Sequence, residues 1–182
     1  MLALRPEKLR QIVGLLLGLE PKRRMNYTKL IKVLYIADRE SIRDTGEPIT
    51  GDQTWCLPRG PILSHLTDLI RGSVAADATW ARCFRKEGRD LVMIGDPGQD
   101  WLCEYEVEKV KELHARHRHH SYGQLIEITH RLPECEKNAV TSGRKRISLH
   151  DILEGLGIGD QEAEIEDDAR AARPLQSAMA ER

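Results

Sequence analysis

Apolar residues recur at intervals of three and four over most of this chain, a spacing that predicts a mainly helical protein. Leu9, Ile12, Val13 and Leu16 form one stripe, so a first helix is expected from Pro6, a good first-turn residue, to about Leu19. Glu20-Pro21 and the cations Lys22, Arg23 and Arg24 break it. Asn26 can cap a second helix, in which Tyr27, Leu30, Ile31, Leu34, Tyr35 and Ile42 share a face and Thr45-Gly46 marks the end. Thr54 to Leu57 reads as a short strand. Leu63, Leu66 and Ile70 predict a helix with Pro61 in its first turn and Gly72 as its stop. Trp80–Phe84 and Leu91–Ile94 flank a polar turn, Lys86 to Asp90, and predict a hairpin.

Val107, Val110 and Leu113 mark a helix from about Glu104 to His117. Ser121 and Gln124 suit a capping box opening a helix that Pro133 ends. Ser148 and Asp151, with Ile147 and Ile152 placed as a hydrophobic staple, open a last helix closed by Gly155, Gly157 and Gly159. No internal repeat is visible. The expected class is α+β, mainly α, with about six helices packed in one domain, 1–159, beside a small antiparallel hairpin or sheet. Residues 160–182 carry seven acids against three bases and few apolar residues, and are expected to form an acidic, flexible tail or a loose helix.

Composition narrows the function classes. The 182 residues have a net charge of −1, so the chain as a whole is no polycation seeking nucleic acid. The longest apolar run, Ile12 to Leu19, is short of the roughly 20 residues of a membrane span, and no signal peptide is evident at Met1 to Gln11. Cys56, Cys83, Cys103 and Cys135 form no CxxC pair. A reduced cytoplasmic protein is expected.

One position breaks the helical pattern. Asp38 falls near the middle of the apolar face of the second helix, where a leucine would be ordinary. A carboxylate there must be protonated, paired or hydrogen-bonded. General acid or base work would need a second polar group and a cleft. The structural alternative is the one expected: the carboxylate accepts backbone N–H bonds from a tight loop, or pairs with Arg39, Arg59 or a histidine, and so fixes the loop. The loops EPITGD and LPRGP, rich in Gly and Pro, present Thr50, Asp52 and Arg59 on a stiff backbone suited to recognition. Neither loop matches a phosphate-binding glycine pattern. His114 and His117 share a helix face, with His119, His120 and His130 nearby, but no HExxH or Cys/His spacing accompanies them, so no metal site is expected. No nucleophile elbow or cysteine-protease signature is present.

DNA binding is the main competitor. Three helices followed by a hairpin is the order of a winged helix-turn-helix, and Arg5 to Lys32 holds eight bases and two acids. The candidate recognition helix, Ile62 to Arg71, offers Arg71 as its one Lys or Arg, which is poor equipment for a major groove.

Read together, TKLIKVLYIADRESIRDTGEPITGD, LPRGPILSHL and LIEITHRLPE resemble the Panacea domain family of SocA-like antitoxins. The likeness lies in the Lys-Leu-x-Lys-x-Leu-Tyr helix from Lys29 to Tyr35, the Ala37-Asp38 stretch, the Gly46–Asp52 loop, the Gly60-Pro61-Ile62 segment and the Thr129-His130 pair. It spans about Lys8 to Lys137. One departure is Pro133-Glu134-Cys135, where family members often carry an aromatic residue. The resemblance implies an antitoxin, associated with phage or mobile elements, that neutralises a cognate toxin protein by direct contact. Some members are thought to deliver the toxin to a Clp-type protease. It implies no catalysis and no cofactor. The residues it draws together as a loop network are Asp38, Thr50, Asp52, Arg59, Gly60, Pro61, Thr129 and His130, with Asp38 the internal anchor and Arg59, Thr50 and His130 its first expected partners.

Overall fold

The computed structural model describes residues 4–165, 167 and 171. Its helices start where the chain supplies caps. α1 (Pro6–Gly18) has Pro6 in its first turn and buries Leu9, Ile12, Val13 and Leu16. A short strand, β1 (Arg24–Asn26), leads into α2 (Tyr27–Thr45), where the Asn26 side chain accepts from the Thr28 and Lys29 N–H groups at 3.0 and 3.3 Å. Gly46 closes α2 in the left-handed conformation, φ 77°.

The next segment departs from the sequence expectation. β2 (Thr54–Leu57) and β3 (Gly60–Leu63) form a hairpin, and α3 begins only at Ser64 (Ser64–Arg71). Pro61 is therefore not in a first helical turn; it lies opposite Cys56 in the hairpin. β3 is an end strand of the sheet β3-β2-β6, where β6 is Lys145–Arg146, so no neighbouring strand requires the N–H that proline lacks. The first amides of α3 are met from a distance: the Asp52 carboxylate accepts from the His65 and Leu66 N–H groups, 2.9 Å each.

A second correction concerns Trp80, which lies in α4 (Ala78–Cys83) behind an Asp77 cap. The second hairpin is β4 (Phe84–Glu87) and β5 (Asp90–Met93), and β1 pairs with the far side of β5 to give the sheet β1-β5-β4. Beyond it come α5 (Glu104–His117), α6 (Tyr122–His130), α7 (Pro133–Lys137), α8 (Leu149–Leu156) and a 3-10 turn, Gly159–Gln161. Pro133 opens α7 rather than ending α6. The Ser121–Gln124 and Ser148–Asp151 capping boxes are both closed.

The class is α+β, with small antiparallel sheets, and the described residues hold nine helical elements rather than about six. The additional three, α4, α7 and the 3-10 turn, are each too short to display an apolar period. The main core gathers α1, α2, α5 and the apolar residues around the sheets. A smaller cluster, Ile42, Cys56, Cys135, Ile147, Ile152 and Leu153, joins α2 to α7 and α8. From the stretch expected as a tail, Ile165 packs on this second cluster, while residues 166, 168–170 and 172–182 lie outside the described residues. Among the described residues, no helix is long and apolar enough to cross a membrane.

Gly14 shows how tightly α1 is held. It is buried, and a Cβ there would overlap the Pro97 ring. Alanine is favoured over glycine inside a helix by about 1 kcal/mol, but overpacking costs about 1–3 kcal/mol. Gly14→Ala is therefore expected to lower the urea denaturation midpoint, and adding Pro97→Ala to recover part of the loss.

Candidate functional site

One face of α2 turns Lys32, Tyr35, Asp38 and Arg39 inward, at the three- and four-residue spacing that aligns side chains on a helix. Lys32, Tyr35 and Asp38 are 1%, 1% and 4% exposed, so each polar end must find its partner inside the protein.

Asp38 holds the loop after α2. One carboxylate oxygen accepts from the Thr50 N–H at 2.8 Å and the other from the Thr50 hydroxyl. The Thr50 hydroxyl oxygen in turn accepts from the Asp52 N–H at 3.1 Å, and the Asp52 side chain caps α3. A line of hydrogen bonds thus runs from α2 through the loop to α3. Burial pushes the Asp38 carboxyl up to about 7, against the opposing pull of the two Thr50 donors. Burial also raises Asp52, opposed by the backbone N–H groups it accepts from. Beside this line lies a cavity of about 100 Å³ lined by Asp38, Arg39, Asp52, Thr54, Arg146 and Ile152, among others.

Lys32 holds the first hairpin. Its ammonium donates to the Arg59 and Pro61 carbonyls at 2.7 and 2.6 Å. These are alternate residues spanning the start of the end strand β3, so the cation occupies part of a sheet edge that would otherwise be open. Burial lowers the ammonium to about 8, and the nearby Cys135 and Cys56 sulfurs oppose that shift. Gly60, at φ 81°, lets the hairpin turn and come this close: a Cβ there would sit 3.0 Å from both the Lys32 Nζ and the His130 Cδ2 atoms.

The third tie is a buried carboxylate. Glu134, 1% exposed, accepts from the Tyr35 hydroxyl at 2.6 Å and from the Arg39 Nε at 2.7 Å. Arg39 also donates to the Gly155 carbonyl at 2.9 Å, which brings α8 into the same knot. Burial first, and then the adjacent Glu134 charge, push the Tyr35 phenol well above its ordinary range.

The residues picked out in the sequence are thus distributed over two holding points. Thr50 and Asp52 gather at Asp38; Arg59, Gly60 and Pro61 gather at Lys32, with the His130 ring beside Gly60. Neither Arg59 nor His130 supplies a hydrogen bond to Asp38 among the described residues. Thr129 is fully buried, and its hydroxyl donates back to the Leu125 and Ile126 carbonyls within α6. Lys32 and Glu134 are the residues that sequence reasoning missed. The signal for Lys32 was its place as the second lysine of the Lys-Leu-x-Lys-x-Leu-Tyr helix; for Glu134 it was its place beside Cys135, at the departure from the family pattern. His114 bonds Glu20 and His117 faces His120, and no group of three or more His, Cys, Asp or Glu among the described residues could hold a metal ion.

The sequence model of one family, described as antitoxin SocA-like, Panacea domain, matches residues 30–135. No curated protein and no solved structure matches the chain.

The raised Asp38 sets a sign for stability against pH. Its carboxyl holds a proton up to about pH 7 when folded but only to its ordinary 3.8 when unfolded. The stability it contributes is complete below pH 3.8 and is lost as pH rises toward 7. Asparagine can accept from the Thr50 N–H and donate to its hydroxyl, since that oxygen has two lone pairs. Asp38→Asn should fold, and the wild-type stability measured relative to it should fall from about pH 4 to pH 7. Asp38→Ala strands the Thr50 N–H and should cost about 1–3 kcal/mol in urea unfolding. Lys32→Met leaves two carbonyls without their donor, with a similar loss of about 1–3 kcal/mol and faster amide hydrogen exchange in β2 and β3.

Proposed function

The chain belongs to the SocA-like Panacea family of antitoxins, and from that membership we propose that it binds and neutralises a cognate toxin protein by direct contact, with no catalytic step. The observation that carries this reading is the family match over 30–135, which takes in α2, both of the loops it ties and α6. Two features support it. The Asp38 carboxylate, the residue best placed for acid or base work, is buried and already bonded through both oxygens to Thr50. Polar groups of the two loops are fixed from inside by Asp38 and Lys32, which leaves a stiff exterior suited to recognising a protein surface.

The basic N-terminal stretch gives less to a DNA-binding reading than its composition suggested. Lys8 pairs with Glu106 at 2.5 Å, Arg24 pairs with Asp90 at 2.7 Å, Lys29 donates to the Arg118 carbonyl, and Lys32 is buried. Phosphate contact needs free cations.

Co-expression with the products of the neighbouring reading frames tests the proposal. Restored growth beside a toxic neighbour, together with a complex that co-purifies, is the expected result. Toxin levels that fall only when a Clp-type protease is present would add the adapter role to it. Absence of toxicity and of a complex for the neighbours on both sides, with salt-dependent binding of duplex DNA, would overturn it.

A further inference from the structure

Cys56 on β2 and Cys135 on α7 meet inside the second core cluster. They are 0% and 1% exposed, their Sγ atoms are 3.9 Å apart, and both are free thiols. At that separation the two sulfurs are in contact, with no room for another atom between them. Ile42, Ile147, Ile152 and Leu153 pack with them in this cluster, and the Cys56 sulfur also lies 3.7 and 3.9 Å from the Leu57 and Cys135 carbonyl oxygens. Lys32, with its ammonium held by the hairpin carbonyls, is a cation close enough to act on both sulfurs. Burial, and then the neighbouring Cys56, push the Cys135 thiol up, which keeps it protonated at neutral pH. The ties of α2 leave these two thiols without a role.

We propose that Cys56 and Cys135 are a modification site, a dithiol that a small peroxide converts to a reversible disulfide joining the first hairpin to α7. In the first step one sulfur attacks a peroxide oxygen and the O–O bond breaks. The displaced hydroxide leaves as water with the thiol proton, and the sulfur becomes a sulfenic acid. The second sulfur then attacks the sulfenic sulfur, the S–O bond breaks, and the departing hydroxide takes the second thiol proton as another water. With hydrogen peroxide, two thiols and one peroxide give one disulfide and two waters, the protein being oxidised by the loss of two hydrogens.

Closure brings the sulfurs from 3.9 Å to about 2.05 Å. α7 has only five residues, so it can follow, and it carries Glu134 next to Cys135. The movement is therefore felt at the carboxylate that Tyr35 and Arg39 hold. The bridge also spans 79 residues of sequence, a long loop whose closure restricts the unfolded chain.

The test uses the full chain carrying Cys103→Ser, which removes the exposed thiol and keeps a capping hydroxyl at the start of α5. The native protein is treated with hydrogen peroxide, unfolded, alkylated and mapped without reduction. The expected product has lost the mass of two hydrogens, shows the Cys56 peptide linked to the Cys135 peptide, reverts with dithiothreitol and melts above the reduced form. Both thiols alkylated after treatment, a bridge to Cys83, or sulfinic acids with no crosslink would overturn the proposal. Cys135→Ser in the same background should stop the crosslink; its persistence would overturn the proposal too. No toxin enters these measurements, so their failure leaves the antitoxin reading standing.

Discussion

Polar groups on the inner face of α2 cannot be left unmatched, and most of the architecture follows from how they are matched. An unpaired buried donor or acceptor costs about 1–3 kcal/mol, and a charged one more. Lys32, Tyr35, Asp38 and Arg39 place four such groups on one helix. Each partner comes from a different stretch: the hairpin carbonyls for Lys32, the Thr50 loop for Asp38, and Glu134 of α7 for Tyr35 and Arg39. Loops that apolar contact alone would hold loosely are fixed by groups that tolerate only one arrangement.

These ties are better understood as specifying the fold than as adding to its stability. A buried ion pair such as Arg39–Glu134, at 2.7 Å with the Glu134 side chain fully buried, gains Coulomb energy but loses the hydration of both charges, and the two nearly offset. What the pair excludes is gross misplacement of α7 and α8, since a displacement beyond hydrogen-bond reach leaves Glu134, Tyr35 and Arg39 unpaired together. Exposed pairs such as Lys111–Glu108 or Arg85–Glu87 carry no such penalty and constrain little. The larger apolar core supplies the drive to fold, and the α2 ties select the arrangement.

Long helices with stripes and local caps were legible in the sequence: α1, α2, α5, α6 and α8 start close to where Pro6, Asn26, Glu104, Ser121 and Ser148 placed them. Elements whose cause lies far along the chain were not. α3 begins at Ser64 because Asp52 caps it from thirteen residues before His65, and Pro61 is free to join a strand because that strand is an edge. β1 and β6 are too short to show an alternation, and they exist through pairing with β5 and β2. Asp38 was conspicuous because an acid interrupts an apolar face. Thr50 was among the partners expected for it; Arg59 and His130, which charge logic favours, are not needed, because a nearby hydroxyl and amide suffice for a carboxyl that burial already pushes toward its neutral form. Lys32 escaped notice because a lone lysine in a helix is ordinarily solvated, and nothing in the sequence shows that two carbonyls of a hairpin edge would surround it.

The span shared with the family begins two residues before Lys32 and ends on Cys135, so it contains both sides of the main ties of α2. Lys32 with Arg59 and Pro61, Asp38 with Thr50, and Tyr35 and Arg39 with Glu134 all fall inside it. α1 lies before it, while β6 and α8 lie after it and attach from outside. α8 is joined through the Arg39 bond to the Gly155 carbonyl and the Lys137 pairs with Asp151 and Glu154. A unit with its polar constraints satisfied internally can keep its loops in register while the elements around it change. That separation is what one scaffold needs to meet different partner surfaces: exterior residues can vary without leaving a buried charge unpaired.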